Sequence, residues 1–374
     1  MEVLLDYRPA LRARTGVGEY VHELAQALAG TTPPGDRLHL FTSSWKDRPD
    51  PAVARLVPGA RIHDLRVPVR VLNWWWHRVQ WPTVERLTRT SYDVVHAAHP
   101  LLIPSAAARV VTIHDLYFLD RPEHTSAEIR RDYAPLAAAH ARRADGILTS
   151  SQHTAGQLVR RLGIPADRIV VAPPGAPRWT AGGRRRPHDP KGYLLFVGTL
   201  EARKNQGALL DAYELLLKDG IDPRPLRVAG RSTEAAATWL RRMAEPPLAG
   251  RVSHLGYVAD ADRRSLFENA SLLVLPSWHE GFGLPALEAM ALGVPVVAST
   301  TGALPEVVGD AGLLAPPDDP AALARAIGRL LNEPALAAAC IERGEARAAG
   351  WSWAQAADAV RALHAAAVRH RASL

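Results

Sequence analysis

The stretch His279-Glu-Gly-Phe-Gly-Leu-Pro-Ala-Leu-Glu288-Ala-Met-Ala-Leu-Gly293 narrows the folds open to this chain more than any other part of it. It follows an apolar run, Ala270 to Leu275, that reads as a buried parallel strand ended by Pro276. A glycine loop comes next, and then a short helix that Pro285 can open and Gly293 can close. Strand, glycine loop and helix in that order aim free backbone N–H groups, with the positive end of the helix dipole behind them, at an anion. Two carboxylates bracket the loop, Glu280 ahead of it and Glu288 within the helix. Ionised carboxylates accept strong hydrogen bonds from hydroxyls, and nothing in the sequence gives the intervening glycines a packing role. A phosphate cradle beside two hydroxyl-binding carboxylates points to a nucleotide-sugar site.

The remainder of the chain alternates strand and helix patterns. Expected strands in the first half are Val3–Asp6, Leu38–Thr42, Arg61–Leu65, Val94–His96, Val110–Ile113, Gly146–Ser150 and Ile169–Ala172. The expected helices between them include Glu19–Leu28, Ser126–Arg143 and Ser151–Leu162, the last with Ser151 as its cap. A proline-rich segment from Pro173 to Pro190, containing Gly182-Gly-Arg-Arg-Arg186, reads as an interdomain linker. Alternation then restarts with expected strands at Tyr193–Val197, Leu226–Ala229, Val252–Leu255, Leu272–Leu275, Val294–Ala298 and Ala311–Leu314. Helices are expected at Gln206–Lys218, Thr233–Ala244, Asp262–Asn269, Leu304–Val308, Pro320–Leu331 and Ala335–Ala348, and after Trp351 to about His370. This pattern predicts an α/β protein of two doubly wound, mostly parallel sheets, with ligand at the carboxyl ends of the strands, in the cleft where the domains face each other.

Length and composition agree. A chain of 374 residues supports two buried cores, and no apolar run approaches the roughly 20 residues of a membrane helix. The N-terminus runs into a strand without the pattern of a signal peptide, and the one cysteine, Cys340, has no internal partner, so a cytoplasmic protein is expected. The net charge of +7 is uneven: residues 1–186 hold 26 Lys+Arg against 17 Asp+Glu, whereas residues 187–374 hold 19 against 21. A basic first half suits an anionic partner such as a phospholipid surface or a pyrophosphate-linked acceptor. The arginines are dispersed and carry no nucleic-acid-binding motif, so nucleic acid is not expected.

Several motifs now stand in order: Thr15-Gly-Val-Gly-Glu-Tyr20, Ile113-His114-Asp115-Leu116, Gly198-x4-Arg203-Lys204-Asn205, Glu280-Gly-Phe-Gly-Leu-Pro-x2-Glu288 and Gly293-Val-Pro-Val-Val-Ala-Ser299. Together they resemble the family 4 glycosyltransferases, retaining and metal-independent enzymes of GT-B fold, over nearly the whole chain. The resemblance implies a Rossmann-like acceptor domain at 1–180, a donor domain at 187–350, and a C-terminal helix, 352–374, that packs back on the first. It also implies a hexosyltransferase that carries sugar from a nucleotide-sugar to a glycan or polyprenyl-pyrophosphate-linked acceptor in cell-surface polysaccharide synthesis. The likeness is to bacterial mannosyltransferases, which makes GDP-mannose the expected donor, with no cofactor and no metal. A sugar-nucleotide 2-epimerase of the same fold and a non-catalytic sugar-nucleotide-binding module are the alternatives.

By the same resemblance, Glu280 contacts the transferred sugar, Glu288 the ribose, and the backbone of Gly281, Phe282, Gly283 and Leu284 the diphosphate. Arg203 and Lys204, at a strand end, supply fixed cations for the charge that builds on the departing phosphate, with Gly198 opening that loop. Asn205 reads as the cap of the following helix. Val258 is expected to meet the base through its backbone, and Asp260 and Asp262 read as helix-cap acids rather than metal ligands. Gly16 and Gly18 are expected to close over the diphosphate, and His114 to contact the donor sugar, with His96 and His99 as further acceptor candidates. Glu19 stands where relatives often carry a basic residue, which leaves its role open. Asn73-Trp74-Trp75-Trp76-His77 with Trp81, near Arg66, Arg70 and Arg78, is either a packed aromatic cluster or an aromatic-basic surface for an acceptor or a membrane, the latter making the protein peripheral on the inner face.

Overall fold

A computed structural model describes residues 1–11, 14, 16–125, 129–181 and 188–373. Thr15, Ser126 and the run Gly182–Arg186 lie outside the described residues. The chain divides into two compact units, one made of Met1–Gly175 with Ser352–Leu374 and the other of Ala176–Trp351.

The first unit holds seven strands: β1 (Glu2–Asp6), β2 (Arg37–Ser43), β3 (Arg61–Leu65), β4 (Val94–Ala97), β5 (Ala108–Thr112), β6 (Gly146–Thr149) and β7 (Ile169–Val171). All pair in parallel, in the order β3-β2-β1-β4-β5-β6-β7. Successive side chains point to opposite faces of a strand, so Val3 and Leu5 enter one core and Leu4 the other. The first core is roofed by helices Gly16–Gly30 and Trp353–Ala372, through Tyr20, Leu24, Leu28, Trp353, Val360 and Leu363. The second is roofed by Leu72, Trp76, Ala137, Ala141 and Leu158. The C-terminal helix starts at a capping box, Ser352 accepting from the Gln355 N–H and the Gln355 side chain accepting from the Ser352 N–H.

The second unit holds β8 (Tyr193–Val197), β9 (Leu226–Ala229), β10 (Val252–Gly256), β11 (Ala270–Leu275), β12 (Val296–Ser299) and β13 (Leu313–Ala315), again parallel, in the order β10-β9-β8-β11-β12-β13. Leu194, Phe196, Leu272 and Val274 pack under helices Gln206–Lys218 and Pro320–Asn332 on one face. Leu195, Leu273 and Leu275 pack under Asp260–Glu268, Leu284–Ala291 and Leu304–Val308 on the other. The stretch expected to be linker begins this unit: Trp179 packs on Phe267 at 5.8 Å, and Arg264 donates to the Ala181 carbonyl at 3.2 Å.

In each sheet the winding reverses once, between β1 and β4 and between β8 and β11. Such reversals open a crevice at the carboxyl ends of the two strands, where doubly wound sheets hold ligands.

Candidate active site

The two strands beside the second unit's reversal, β8 and β11, deliver the charged groups singled out above. After β8 the chain turns at Gly198, forms one 3-10 turn over Ala202–Lys204, and enters helix Gln206–Lys218 through Asn205 in the left-handed conformation. Gly198 stands where a Cβ would meet the Lys204 side chain at 3.4 Å, so its bareness leaves room for the lysine stem. After β11, Ser277 to Gly283 form the glycine loop, and helix Leu284–Ala291 follows with proline in its first turn.

The two loops meet in a buried ion cluster. Lys204 Nζ donates to both oxygens of Glu280, at 2.7 and 2.9 Å. Arg203 Nη1 donates to Glu280 Oε2 at 3.3 Å and to the His279 carbonyl at 3.0 Å, while its other edge donates to Glu201 at 2.9 Å. Ser277 Oγ donates to Glu280 Oε1 at 2.7 Å. Burial by itself disfavours the Glu280 carboxylate, but the Lys204 and Arg203 charges outweigh it and hold the pKa at about 2. Two cations and two carboxylates, Glu201 and Glu280, balance within this cluster.

The Glu280 loop is fixed from behind by Ser299, the last residue of β12, and by Thr301 to Ala303 just after it, a segment beyond the motifs read in the sequence. Ser299 Oγ donates to the Ser277 carbonyl at 2.6 Å, Thr301 Oγ1 to the Trp278 carbonyl at 2.9 Å, and the Ala303 N–H to the Glu280 carbonyl at 2.9 Å. Gly302, at φ +66°, passes so close that a Cβ there would stand 2.7 Å from the Glu280 nitrogen. The only local signal for this support is a glycine in Ser299-Thr-Thr-Gly302 after a strand.

Glu288 lies on helix Leu284–Ala291, fully buried. Its Oε1 accepts from Arg263 Nη2 at 2.6 Å; its Oε2 is buried without a hydrogen-bond partner. Burial raises its pKa, Arg263 opposes that rise, and Asp260 adds to it. A buried carboxylate oxygen left unpaired is costly and is ready to accept from a hydroxyl. Arg263, on helix Asp260–Glu268, also lies over the Trp179 ring at 5.0 Å. Neither Arg263 nor Trp179 stood out in the sequence. Val258 is half-buried in the connection between β10 and that helix.

Three readings need correction. Asn205 occupies the helix N-cap position but does not cap with its side chain, which donates instead to the Pro276 and Pro317 carbonyls at 3.0 and 2.7 Å. It ties the loop after β8 to the loop after β11. Asp260 and Asp262 lie inside the first turn, the cap position being Ala259 with no side-chain bond, and Asp260 stands 3.7 Å from Arg263. Gly283 does have a packing role: at φ +100° it heads its helix, and a Cβ there would lie 2.6 Å from Leu304. Phe282 turns its ring inward against Trp351 at 5.5 Å, and the residues on either side of it are Gly281 and Gly283.

The first unit gathers its own candidates. Gly16, at φ +29°, starts helix Gly16–Gly30, and Gly18 lies where a Cβ would stand 2.7 Å from the Pro9 carbonyl. Gly18 is therefore demanded by packing of the helix on the turn after β1. Two residues on, Tyr20 meets His114 edge-on at 5.0 Å. Burial pushes the His114 pKa down to about 4, its Nε2 is covered without a hydrogen-bond partner, and its carbonyl accepts from Thr154 Oγ1 at 3.1 Å. His96 is absorbed into the core, accepting or donating to Thr112 at 2.8 Å and to His364 at 3.0 Å, whereas His99 faces Asp6 at 3.2 Å.

Two parallel Rossmann-like units of this kind are the GT-B architecture of nucleotide-sugar enzymes. Sucrose-phosphate synthase from Thermosynechococcus elongatus shares it at a TM-score of 0.76 and 23% identity, over 97% of this chain and 98% of that one. HepE from Anabaena, solved in complex with UDP-glucose, shares it at 0.72 and 19%, over 98% and 100%. The family model for Glycosyltransferase Family 4 matches residues 14–177, and that for Glycosyl transferases group 1 matches residues 191–333. O-antigen chain mannosyltransferase B from Escherichia coli is 31% identical over 381 residues, 94% of this chain and 96% of its own length. The chain belongs to the family 4 glycosyltransferases, and it is an enzyme of that class.

Proposed function

We propose that this enzyme moves mannose from GDP-mannose, with retention of anomeric configuration, to a glycan or polyprenyl-pyrophosphate-linked acceptor in cell-surface polysaccharide synthesis. The observation that carries the reading is the Lys204–Arg203–Glu280 cluster at the strand reversal. Breaking the bond between the sugar and the β-phosphate leaves negative charge on phosphate, and two fixed cations stabilise it better in the transition state than in the ground state. With Arg203 and Lys204 in that role, no divalent metal is needed. The backbone N–H groups of Gly281, Phe282, Gly283 and Leu284 face the diphosphate at the head of their helix.

In this mechanism the acceptor hydroxyl attacks the anomeric carbon from the face the nucleotide leaves. Its oxygen bonds to that carbon, the carbon–phosphate-oxygen bond breaks, and the leaving phosphate takes the hydroxyl proton. Glu280 holds a hydroxyl of the transferred sugar, and Glu288 uses its unpaired Oε2 for the ribose. Gly198 clears the loop, Val258 offers its backbone to the base, and Gly16, Gly18 and His114 are assigned to donor binding. Mannose is preferred because the relative at 31% identity is described as a mannosyltransferase. The first unit is assigned the acceptor and the second the donor, with attachment to the inner face of a membrane through the lipid-linked acceptor.

The test is a panel of nucleotide-sugars scored by thermal stabilisation, followed by NMR of the product's anomeric centre. GDP-mannose is expected to stabilise most and to give a product of unchanged configuration. A clear preference for UDP- or ADP-sugars would reject mannose while leaving the class intact, and an inverted product would reject retention.

A further inference from the structure

The aromatic segment after β3 divides its side chains sharply. Helix Val69–Trp74 passes directly into a wider π-helical turn, Trp75–Val79. Leu72, Asn73, Trp76 and His77 point inward, with Trp76 Nε1 donating to the Pro82 carbonyl at 2.9 Å and its ring 5.4 Å from Phe41. Arg70, Val71, Trp74, Arg78 and Val79 point outward. The inward set is two adjacent pairs four residues apart, Leu72 with Asn73 and Trp76 with His77, and the turn widens where a strict 3.6-residue repeat would have carried Val79 toward the core. The sequence therefore yields both readings of the tryptophans at once: Trp76 is core, and Trp74 and Trp81 are surface, 58% and 54% exposed.

Two exposed indoles beside Val71 and Val79 form an apolar patch with a basic rim. Arg66, Arg70 and Arg78 are exposed in the same stretch of chain, and Arg143 is tied to it by its bond to Gln80 Oε1 at 3.3 Å. From Leu65 to Val84 the chain has no Asp or Glu. Indoles favour the boundary between acyl chains and headgroups, and arginines favour the anionic headgroups above it. Two-fold self-association through the same face would set these arginines against one another, which argues against a second copy as the occupant.

We propose that the Val71–Trp74–Val79–Trp81 face seats the enzyme on an anionic bilayer, the two indoles entering the headgroup boundary and Arg70 and Arg78 pairing with lipid phosphates. This rests on the proposed lipid-linked acceptor, because helix Val69–Trp74 follows the carboxyl end of β3 and its Asn73 accepts from Arg8 at 3.0 Å, just after β1. The patch thus borders the strand-end side of the first unit's sheet, where a lipid-borne acceptor has to arrive.

The full chain is tested by flotation with vesicles of two parts phosphatidylcholine to one part phosphatidylglycerol, and with phosphatidylcholine alone. Wild type is expected to float with the anionic vesicles only, less so as salt rises. Trp74→Gln/Trp81→Gln and Arg70→Gln/Arg78→Gln are each expected to weaken that binding about ten-fold or more, with melting temperature and stabilisation by GDP-mannose unchanged. Equal flotation of both double variants, or wild type that ignores anionic vesicles, would overturn the proposal. So would patch variants that change oligomeric state, or the affinity for a soluble glycan acceptor, instead of vesicle binding. Failure of GDP-mannose to stabilise wild type would strike the donor assignment while leaving the vesicle result standing.

Discussion

Lys204 Nζ lies 2.7 and 2.9 Å from the two oxygens of Glu280, across 76 positions of sequence, and this contact joins the loop after β8 to the loop after β11. Each partner has a second tie of its own, Glu280 to Arg203 and Ser277, and Lys204 through its backbone N–H to the Glu201 carbonyl at 2.9 Å.

Removing the lysine leaves a buried carboxylate facing one cation instead of two. Lys204→Ala is expected to cost the second unit about 1–3 kcal/mol and to slow transfer by about 10²–10³-fold. Adding Glu280→Gln to it is expected to restore stability without restoring transfer, read by denaturant unfolding and by initial rates. Transfer at the wild-type rate in Lys204→Ala would remove this residue from the mechanism.

Glu288 offers a separate measurement. If its unpaired Oε2 takes a ribose hydroxyl, Glu288→Gln is expected to weaken binding of the nucleoside diphosphate by roughly 1.5–3 kcal/mol, the range for a hydrogen bond to a charged group. Calorimetric titration with GDP reads this directly. The same substitution on a 2′,3′-dideoxy nucleotide should have little effect, because the hydroxyls are gone.

Acid should act on one unit. His63, His77, His96, His114, His140 and His364 all belong to the first unit, and burial pushes every one of them below the ordinary 6.5. A folded pKa below the unfolded value means that the unfolded chain binds more protons. The stabilisation is then complete above about pH 6.5 and is lost as pH falls toward 4, by roughly 1.4 kcal/mol per pH unit for each such histidine. Hydrogen exchange at pH 7 and pH 5 should show strands β1–β7 losing protection ahead of β8–β13. His364→Gln, which removes the partner of His96, should flatten that dependence.

Gly302→Ala tests the backing of Glu280. The left-handed backbone and the 2.7 Å approach to the Glu280 nitrogen both forbid a Cβ, at a cost of order 1–3 kcal/mol. Transfer is expected to fall further than nucleotide affinity does, since Glu280 is displaced while Glu288 is not. Equal losses in both would mean that Gly302 supports the fold alone.

Most of the architecture was legible because parallel strands buried on both faces must be short, wholly apolar runs. Central strands such as β8 and β11 stood out that way, whereas the edge strands β3 (Arg61–Leu65) and β10 (Val252–Gly256) are partly exposed and carry polar residues within the run; helix Gln206–Lys218 ended where its Lys218 predicts. The small shifts at β5 and β12 fall at strand ends, where pairing thins out rather than stops: Ile113 still donates to the Leu148 carbonyl at 2.9 Å, and the Pro295 carbonyl still accepts from Leu273 at 3.0 Å, each just outside its strand. The Arg-Lys and Glu-x7-Glu patterns were readable because each is local. Gly302, Ser277 and Arg263 were not, since each owes its place to a partner that is near only after folding. Asn205 looked like a cap because its position is one; its amide was claimed by two carbonyls that the local sequence does not contain.

The helix Trp353–Ala372 completes the core of the first unit although the whole of the second intervenes in the chain. On the ribosome, β1 to β7 therefore emerge long before the helix that covers one of their faces. Until then Val3, Leu5, Val110 and Leu148 lack part of their covering, while the second unit, contiguous from Ala176 to Trp351, has everything it needs as soon as it is made. The half of the protein begun first is the half finished last, and its nascent form is the one that calls for chaperone protection.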